Sequence, residues 1–320
     1  MPNVQIAIQN GSNIYYPIIE GELSWETERK GVPGKITFTV LKDLDVRFQE
    51  GNAVMLQVDG KKIFYGFVFQ KKRDKQQHIK VTVYDQLRYF KNKDTYVYGN
   101  KRLDELVRMI ASDFRLKVGT LENTRFKIPS RIEQNKTIFD IVQTAHDLTL
   151  QNQGKMFVLY DDYGKITLKN VESMKLDLLI DEESGENFDY SSSIDGETYN
   201  KIKLSYENKD TGKREIYIAQ DSKNINDWGV LQYFDTIKEG VNGKAQANAL
   251  LQLYNQKTRN LSIKKAFGDT RVRGGSAVIV GLNLGDIIVQ KYMMVEKVKH
   301  SFEESEHWMD LTLRGGEFIA

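Results

Sequence analysis

Over residues 1–92 hydrophobic and polar positions alternate with period two. Ile36, Phe38 and Val40 are interleaved with Lys35, Thr37 and Thr39, the pattern of a half-buried strand. Val54 to Val58 form a second run, and Asp59-Gly60 follows it, a dipeptide suited to a tight hairpin because Gly accepts positive φ. The return strand is predicted over Ile63 to Phe69. A polar run from Gln70 to Gln77 then separates it from Ile79, Val81 and Val83. Short strands punctuated by turn signals predict a small antiparallel β-barrel or sandwich.

The period changes over residues 93–172. Leu103, Leu106, Val107, Ile110 and Phe114 recur at helical spacing, with Arg102, Asp104, Glu105 and Arg108 on the other side. A second helix is predicted from Thr137 to about Gln151, with Thr137 as its cap, Asp140 at the third helical position and Gly154 as its stop. Its buried stripe would be Ile138, Ile141, Val142, Ala145 and Leu148. Met156 to Tyr160 should pair with Lys165 to Leu168 across Asp161-Asp162-Tyr163-Gly164. Two helices and a hairpin make an α/β unit.

From Asp181 to Glu197 the chain is acidic and rich in Ser and Gly, which reads as a solvated linker. Strands resume at Ile202, Leu204 and Tyr206, turn at Asp210-Thr211-Gly212 and return through Ile216 and Ile218. A helical insertion near residues 225–260 follows, with a helix over Gly243 to Gln256 whose apolar side is Ala249, Leu250, Leu253 and Tyr254. The remainder is β again: Ala277 to Val280, Ile287 to Val289, Tyr292 to Val298 and Met309 to Leu313. The fold class is therefore α+β, mostly β. Two small barrels, residues 1–92 and 173–320, flank an α/β domain at 93–172.

The two β regions read as copies. Gly51-Asn52-Ala53-Val54-Met55 has the shape of Gly285-Asp286-Ile287-Ile288-Val289, and Gly275-Ser276-Ala277-Val278-Ile279 matches it more closely in letters, so two registers compete. Ile63 to Phe69 corresponds to Tyr292 to Val298. Ile79, Val81 and Val83 correspond to Met309, Leu311 and Leu313, with Thr82 and Thr312 facing out.

Composition narrows the function. The 320 residues include 46 Lys+Arg, 44 Asp+Glu and no Cys. Without Cys there is no disulfide framework, thiolate nucleophile or cysteine-built metal site. A net charge of +2 argues against nucleic acid as the main partner. No apolar run approaches the roughly 20 residues that span a bilayer, and the opening Met-Pro-Asn-Val-Gln-Ile lacks the basic n-region and long h-region of a signal peptide. The expectation is a soluble protein made in the cytoplasm. Charge is uneven: residues 1–92 hold 14 basic and 10 acidic side chains, 93–175 hold 14 and 11, and 176–320 hold 18 and 23. That asymmetry suits head-to-tail association of unlike surfaces.

Catalytic constellations are absent from the sequence. His78, His146, His300 and His307 show no paired metal spacing. His300 and His307 flank a predicted turn and could meet, though a solvated position is expected for both. His146 and Asp147, adjacent on a helix, should diverge. G-x-S-x-G, Walker and G-x-G-x-x-G motifs do not occur. Arg271 to Gly275 could cradle an anion but reads as a plain turn. Asp161-Asp162, Asp181-Glu182-Glu183 and Glu303-Glu304-Ser305-Glu306 fall in predicted turns or the linker, where solvent keeps carboxylates ordinary. No catalytic, cofactor or metal residue is therefore assigned, and the chain is not expected to be an enzyme. By contrast, Phe64-Tyr65-Gly66-Phe67-Val68-Phe69 is apolar on both faces and must be covered twice. Trp25, Trp228 and Trp308 read as core, with interface anchoring as the other role open to them.

Longer stretches carry a family resemblance. Asn135 to Val142, Leu148 to Leu150, Gly154 to Asn170 and Ser193 to Leu204 resemble the XkdQ-like hub proteins of contractile phage tails, as do Trp228 to Gln232 and Gly268 to Gly275. The resemblance implies a trimeric baseplate hub in which each subunit offers two tube-like β-domains, so that three subunits make a pseudo-six-fold ring. The implied partners are sister copies, the tail tube protein, the spike or puncturing protein, and baseplate wedge or tape-measure proteins, in a virion, prophage or tail-like bacteriocin particle. The family carries no catalytic residues. Two other readings are weighed against it: a glycan- or receptor-binding tail module using exposed Tyr and Trp, and a peptidoglycan-acting tail enzyme using carboxylates.

Overall fold

The computed structural model describes residues 2–41, 46–208, 212–237, 242–283 and 288–315. The period-two alternation of the first region becomes β1 (Val4–Asn10), β2 (Asn13–Tyr15), β3 (Ile19–Glu28), β4 (Lys35–Leu41), β5 (Ala53–Val58), β6 (Lys61–Arg73) and β7 (His78–Tyr84). They are hydrogen-bonded in the order β2-β1-β5-β6-β7-β4-β3. Ile36, Phe38, Val40, Val54, Leu56, Val81 and Val83 share one buried core, as the alternation requires. Asp59 and Gly60 make the β5–β6 turn with φ of 52° and 73°.

The middle region holds β8 (Lys93–Tyr98), α1 (Leu103–Asp113), β9 (Val118–Leu121), β10 (Arg131–Thr137), α2 (Ile138–Gln153), β11 (Phe157–Asp161) and β12 (Ile166–Asn170). Thr137 caps α2 by accepting the Asp140 N–H at 3.1 Å, and Gly154 ends it in the left-handed region at φ 62°. Ile138, Ile141, Val142 and Ala145 are buried against Leu103, Leu106, Val107 and Ile110 of α1.

Beyond these lie β13 (Lys175–Asp181), β14 (Asn187–Ser193), β15 (Lys201–Glu207), β16 (Arg214–Gln220), α3 (Ser222–Trp228), β17 (Gln232–Thr236) and α4 (Gly243–Tyr254). The chain continues through β18 (Thr258–Phe267), β19 (Ala277–Asn283), β20 (Ile288–Glu303) and β21 (Glu306–Gly315). β14-β18-β21-β20-β19-β13 form a second run of paired strands, and β20 joins it to β3 of the first region. β16-β15-β17 make a separate three-stranded sheet that packs Ile202, Leu204 and Ala219 on Ala247 and Leu250 of α4.

Several expectations change. The fold is mostly β, but the paired strands of the described residues do not close into two barrels: β3 gives its outer edge to β20, so the end regions share one open sheet. The insertion is larger than a helix near 225–260, because β15, β16 and β17 leave the main sheet with it. The supposed linker contains β14, paired to β18 from Asn187↔Lys264 to Ser193↔Thr258. Its alternation is too short to read as a strand: Phe188 and Tyr190 alternate with Asn187 and Asp189, and three serines follow. The polar run after Phe69 does not end β6, which extends to Arg73, and the two strands expected from Ile287 to Val298 are one, β20. Asp210-Thr211 and Gly285-Asp286-Ile287 lie outside the described residues.

The internal repeat is present, and strand pairing selects its register. The order β5-β6-β7-β4-β3 recurs as β19-β20-β21-β18-β14, with every neighbour antiparallel. Gly51 donates its N–H to Val68 O at 2.8 Å and Val68 donates to Asn52 O at 2.9 Å. Gly275 donates to Val295 O at 2.7 Å and Val295 to Ser276 O at 2.8 Å. Irregular register then follows both valines, between Val68 and Gln70 and between Val295 and Lys297. Gly275-Ser276-Ala277-Val278 is thus the counterpart of Gly51 to Val54, not the segment at Gly285. Phe64 to Val68 therefore match Lys291 to Val295, two residues earlier than the letters suggested. Val81↔Leu311 and Thr82↔Thr312 stand as read from the sequence.

The repeat yields a paired prediction. Gly51 and Gly275 both have positive φ, 87° and 94°. A Cβ at Gly51 meets nothing within 4 Å, whereas at Gly275 it would lie 2.5 Å from Val158 Cγ1. Gly51→Ala should cost about 1–2 kcal/mol, the left-handed penalty for an L-residue. Gly275→Ala should cost that and a further ~1–3 kcal/mol of overpacking. Denaturant unfolding of the two variants measures the difference, and equal losses would contradict it.

Candidate functional site

His300 and His307 do meet, with His300 fully buried and His307 half-buried. They stand on β20 and β21, and the short hairpin between those strands brings His300 Nδ1 within 2.9 Å of His307 Nε2. His300 Nε2 lies 2.9 Å from Val272 O. A carbonyl can only accept, so Nε2 carries the proton there and Nδ1 accepts from His307. Trp25 stacks on His300 with ring centroids 4.5 Å apart, and Phe302 stacks on His307 at 4.2 Å. Burial, and then the neighbouring imidazole, pull His300 down to about 3; burial pulls His307 down to about 4. Both are neutral structural groups near pH 7.

A second buried polar cluster was not visible in sequence. Arg273, in the loop before β19, lies over the Tyr160 ring at 3.9 Å and donates Nη2 to Asp161 O at 2.8 Å. Asp161 Oδ2 accepts from Gln86 Nε2 at 3.1 Å. Asp85 accepts the Gly34 N–H at 2.8 Å and the Leu87 N–H at 3.0 Å. Burial, and then the Asp161 charge, push Asp85 well above the usual carboxylate range; burial raises Asp161 and lowers Arg273. Asp161 was expected to be solvated and is 5% exposed. The cluster lies where the first, middle and last regions touch. Beside it Arg29 pairs with Glu296 at 2.9 Å, and Gly274 donates its N–H to Thr27 Oγ1 at 2.8 Å. The Arg271–Gly275 loop is therefore a packed turn: a Cβ on Gly274 would fall 2.3 Å from Glu28 C.

The remaining candidates do not converge. Glu303, Glu304 and Glu306 are exposed at the β20–β21 turn, as expected, and Glu182 and Glu183 are exposed after β13. His78 is half-buried beside Asp74 and Glu20. His146 is buried on α2 and accepts the Phe157 N–H at 3.3 Å. Its other nitrogen comes within 3.4 Å of Asp147, closer than helical divergence suggested. His146 also borders a cavity of about 190 Å³ that Arg29, Tyr254 and Arg314 share. Among the described residues no three His, Asp or Glu side chains gather as metal ligands would, and no helix is long and apolar enough to cross a membrane.

The surface offers contact features instead. The two-faced strand β6 buries Phe64 and Val68 in the first core, while Tyr65 turns to the middle region and Phe69 to Tyr84 and Tyr89 of the first region. Tyr65 lies 5.9 Å from Tyr163, and Phe69 lies 6.3 Å from Tyr89. Its second cover is thus supplied within the chain. Exposed apolar groups persist elsewhere: Val97 opposite Ile132, and Ile218 and Phe234 flanking Lys203 on the open face of β16-β15-β17. Trp25 is core; Trp228 and Trp308 are half-buried. Such patches mark contact surfaces more often than catalytic clefts.

The fold is that of phage and prophage tail proteins. The prophage MuSo2 43 kDa tail protein of Shewanella oneidensis superposes with a TM-score of 0.69 at 12% identity, covering 97% of this chain and 98% of that one. The chain belongs to the YQBQ-like family, whose model matches residues 23–314. Two Bacillus subtilis (strain 168) proteins are similar at 29% identity: the uncharacterized protein YqbQ, over 92% of this chain and 91% of its own, and the phage-like element PBSX protein XkdQ, over 92% of each. The chain is thus a YQBQ-like protein with the fold of that prophage tail protein.

The histidine pair sets a pH dependence. Unfolded histidines titrate near 6.5, while these titrate at about 3 and about 4 when folded. Between those limits the unfolded chain binds more protons, so stability is complete above about pH 6.5 and falls on acidification. The raised Asp85 and Asp161 act oppositely, which makes the variant the cleaner measure. His307→Gln should lose less stability than the parent between pH 7 and 5, by on the order of 1–2 kcal/mol. Urea unfolding at both pH values tests it; parallel losses would refute the assignment.

Proposed function

We propose that this chain is a structural baseplate hub of a contractile phage tail or phage-tail-like particle. Three copies form a pseudo-six-fold ring that joins the tail tube to the central spike. Residues 1–92 and 173–320 act as two tube-like modules carried on the 93–172 unit. The tail tube protein, the spike protein, and wedge or tape-measure proteins are its neighbours in the assembled virion or particle.

The observation that carries this reading is the repeated strand order with its matched glycine turn and register shift. Two like modules per chain let a three-fold object present six similar faces, so it can mate with a hexameric tube on one side and a trimeric spike on the other. The open sheet supports it too, because an open edge in a soluble protein needs a cover. So does the state of the carboxylates: Asp85 and Asp161 are held by backbone and amide N–H groups, and the acidic turns are dispersed. The role proposed is architectural.

The test is mass and position. Native mass measurement at high protein concentration should give three times the chain mass. A map of the particle should place the chain between tube and spike. A strict monomer in the particle, or a location on the outer wedge, would refute the hub reading.

A further inference from the structure

The contact between the two halves of one chain is a template for the contact between chains. Within the chain, β20 beyond β19 pairs with β3, from Lys297↔Glu28 to Phe302↔Leu23. Lys297 reaches Glu28 at 3.1 Å and Glu26 at 3.7 Å, and Lys299 reaches Glu22 at 2.6 Å. The repeat supplies the counterparts of both strands. Val68 matches Val295, so Gln70 to Arg73 of β6 correspond to Lys297 to His300 of β20. Trp25 faces Ile36, which faces Val83; Tyr190 faces Leu261, which faces Leu313. Trp25 of β3 therefore corresponds to Tyr190 of β14.

Both counterparts are uncovered. β5 pairs with β6 only as far as Phe67, so the outer edge of Gln70 to Arg73 has no strand beside it among the described residues. β14 pairs with β18 alone and ends the sheet. Along the shared sheet of one chain they are separated by β18, β21, β20, β3, β4 and β7. Their charges are complementary, though less fully than inside the chain: Ser191 and Ser193 stand where Glu26 and Glu28 do, and Glu186 already pairs with Lys265 at 3.1 Å. β6 ends in Lys71-Lys72-Arg73, while exposed Glu186 and Asp189 lie at and within β14.

We infer that the second half of β6 pairs antiparallel with β14 of a second copy of this chain, in the register Lys72 opposite Ser191 and Gln70 opposite Ser193. Lys72 then sits diagonally from Asp189, as Lys297 does from Glu26. Each chain offers one β14 and one β6, so the contact is head-to-tail. Alternating it with the β3–β20 junction carries the sheet from module to module, and a ring of three copies leaves neither edge open. This rests on the ring reading above and adds its interface.

The absence of cysteine allows a direct test. Directly opposed antiparallel residues have Cα atoms about 4.5–5.5 Å apart, within disulfide reach. Lys72→Cys with Ser191→Cys in one chain, and separately Lys71→Cys with Ser192→Cys, should give covalent trimers on mild oxidation, with no bands above trimer on non-reducing gels. Lys299→Cys with Glu26→Cys is the control: it should close within one chain and leave the band monomeric. Trimers by native mass without interchain disulfides, with the control closing, would overturn this interface and leave the ring reading standing. Ladders beyond trimer would overturn closure. Monomers by native mass would remove the ring reading and the interface with it.

Discussion

Backbone hydrogen bonding between β3 and β20 holds this protein together across almost its whole length. The two strands are separated by more than 250 positions, yet Glu28 to Leu23 lie against Lys297 to Phe302. Everything near this seam depends on it. Trp25 stacks on His300 because their strands are neighbours, and Arg29 finds Glu296 one step further along. Gly274 has no room for a side chain because Glu28 passes against it. A seam between distant segments forms late and closes a large loop, so its stability must come from many cooperating contacts.

The middle region works as packing material for both ends. Its β11 touches the first region through the Asp161–Gln86 bond and the last through Arg273 over Tyr160. A cation buried on an aromatic ring, beside carboxylates that burial has shifted, is costly to separate because any one group left behind would be an unpaired buried charge. That ties the first and last regions to the middle one.

The histidines illustrate how position overrides type. His300 and His307 looked like turn residues at the edge of a hairpin, yet β20 continues so far past β19 that His300 falls at the seam. The buried His300 stays neutral and donates a single proton, and the chain Val272 O, His300, His307 uses one donor and one acceptor on that central ring. Both nitrogens of the His300 ring are thereby occupied, one by His307 and one by the backbone.

Local patterns were legible where one period dominated. The alternation of Ile36, Phe38 and Val40, the helical stripe of Leu103, Leu106 and Ile110, the Thr137 cap and the Gly154 stop follow from side-chain geometry along one element, and the sequence contains them whole. The correspondence of Val81 with Leu311 was readable too, because inward residues of repeated strands obey the same pleat. What the sequence did not contain was which strand lies beside which. The alternation of β14 is cut short by Ser191, Ser192 and Ser193, the second face of β6 called equally for another domain or another chain, and the repeat had two registers until the bonds of Gly275 to Val295 chose one. Hydrophobic periodicity reports what faces a core, but hydrogen bonds between edges are made by a backbone common to all residues. Tertiary structure alone decided that the end regions share a sheet, that Asp161 is buried and that the covered face of β6 belongs to its own chain.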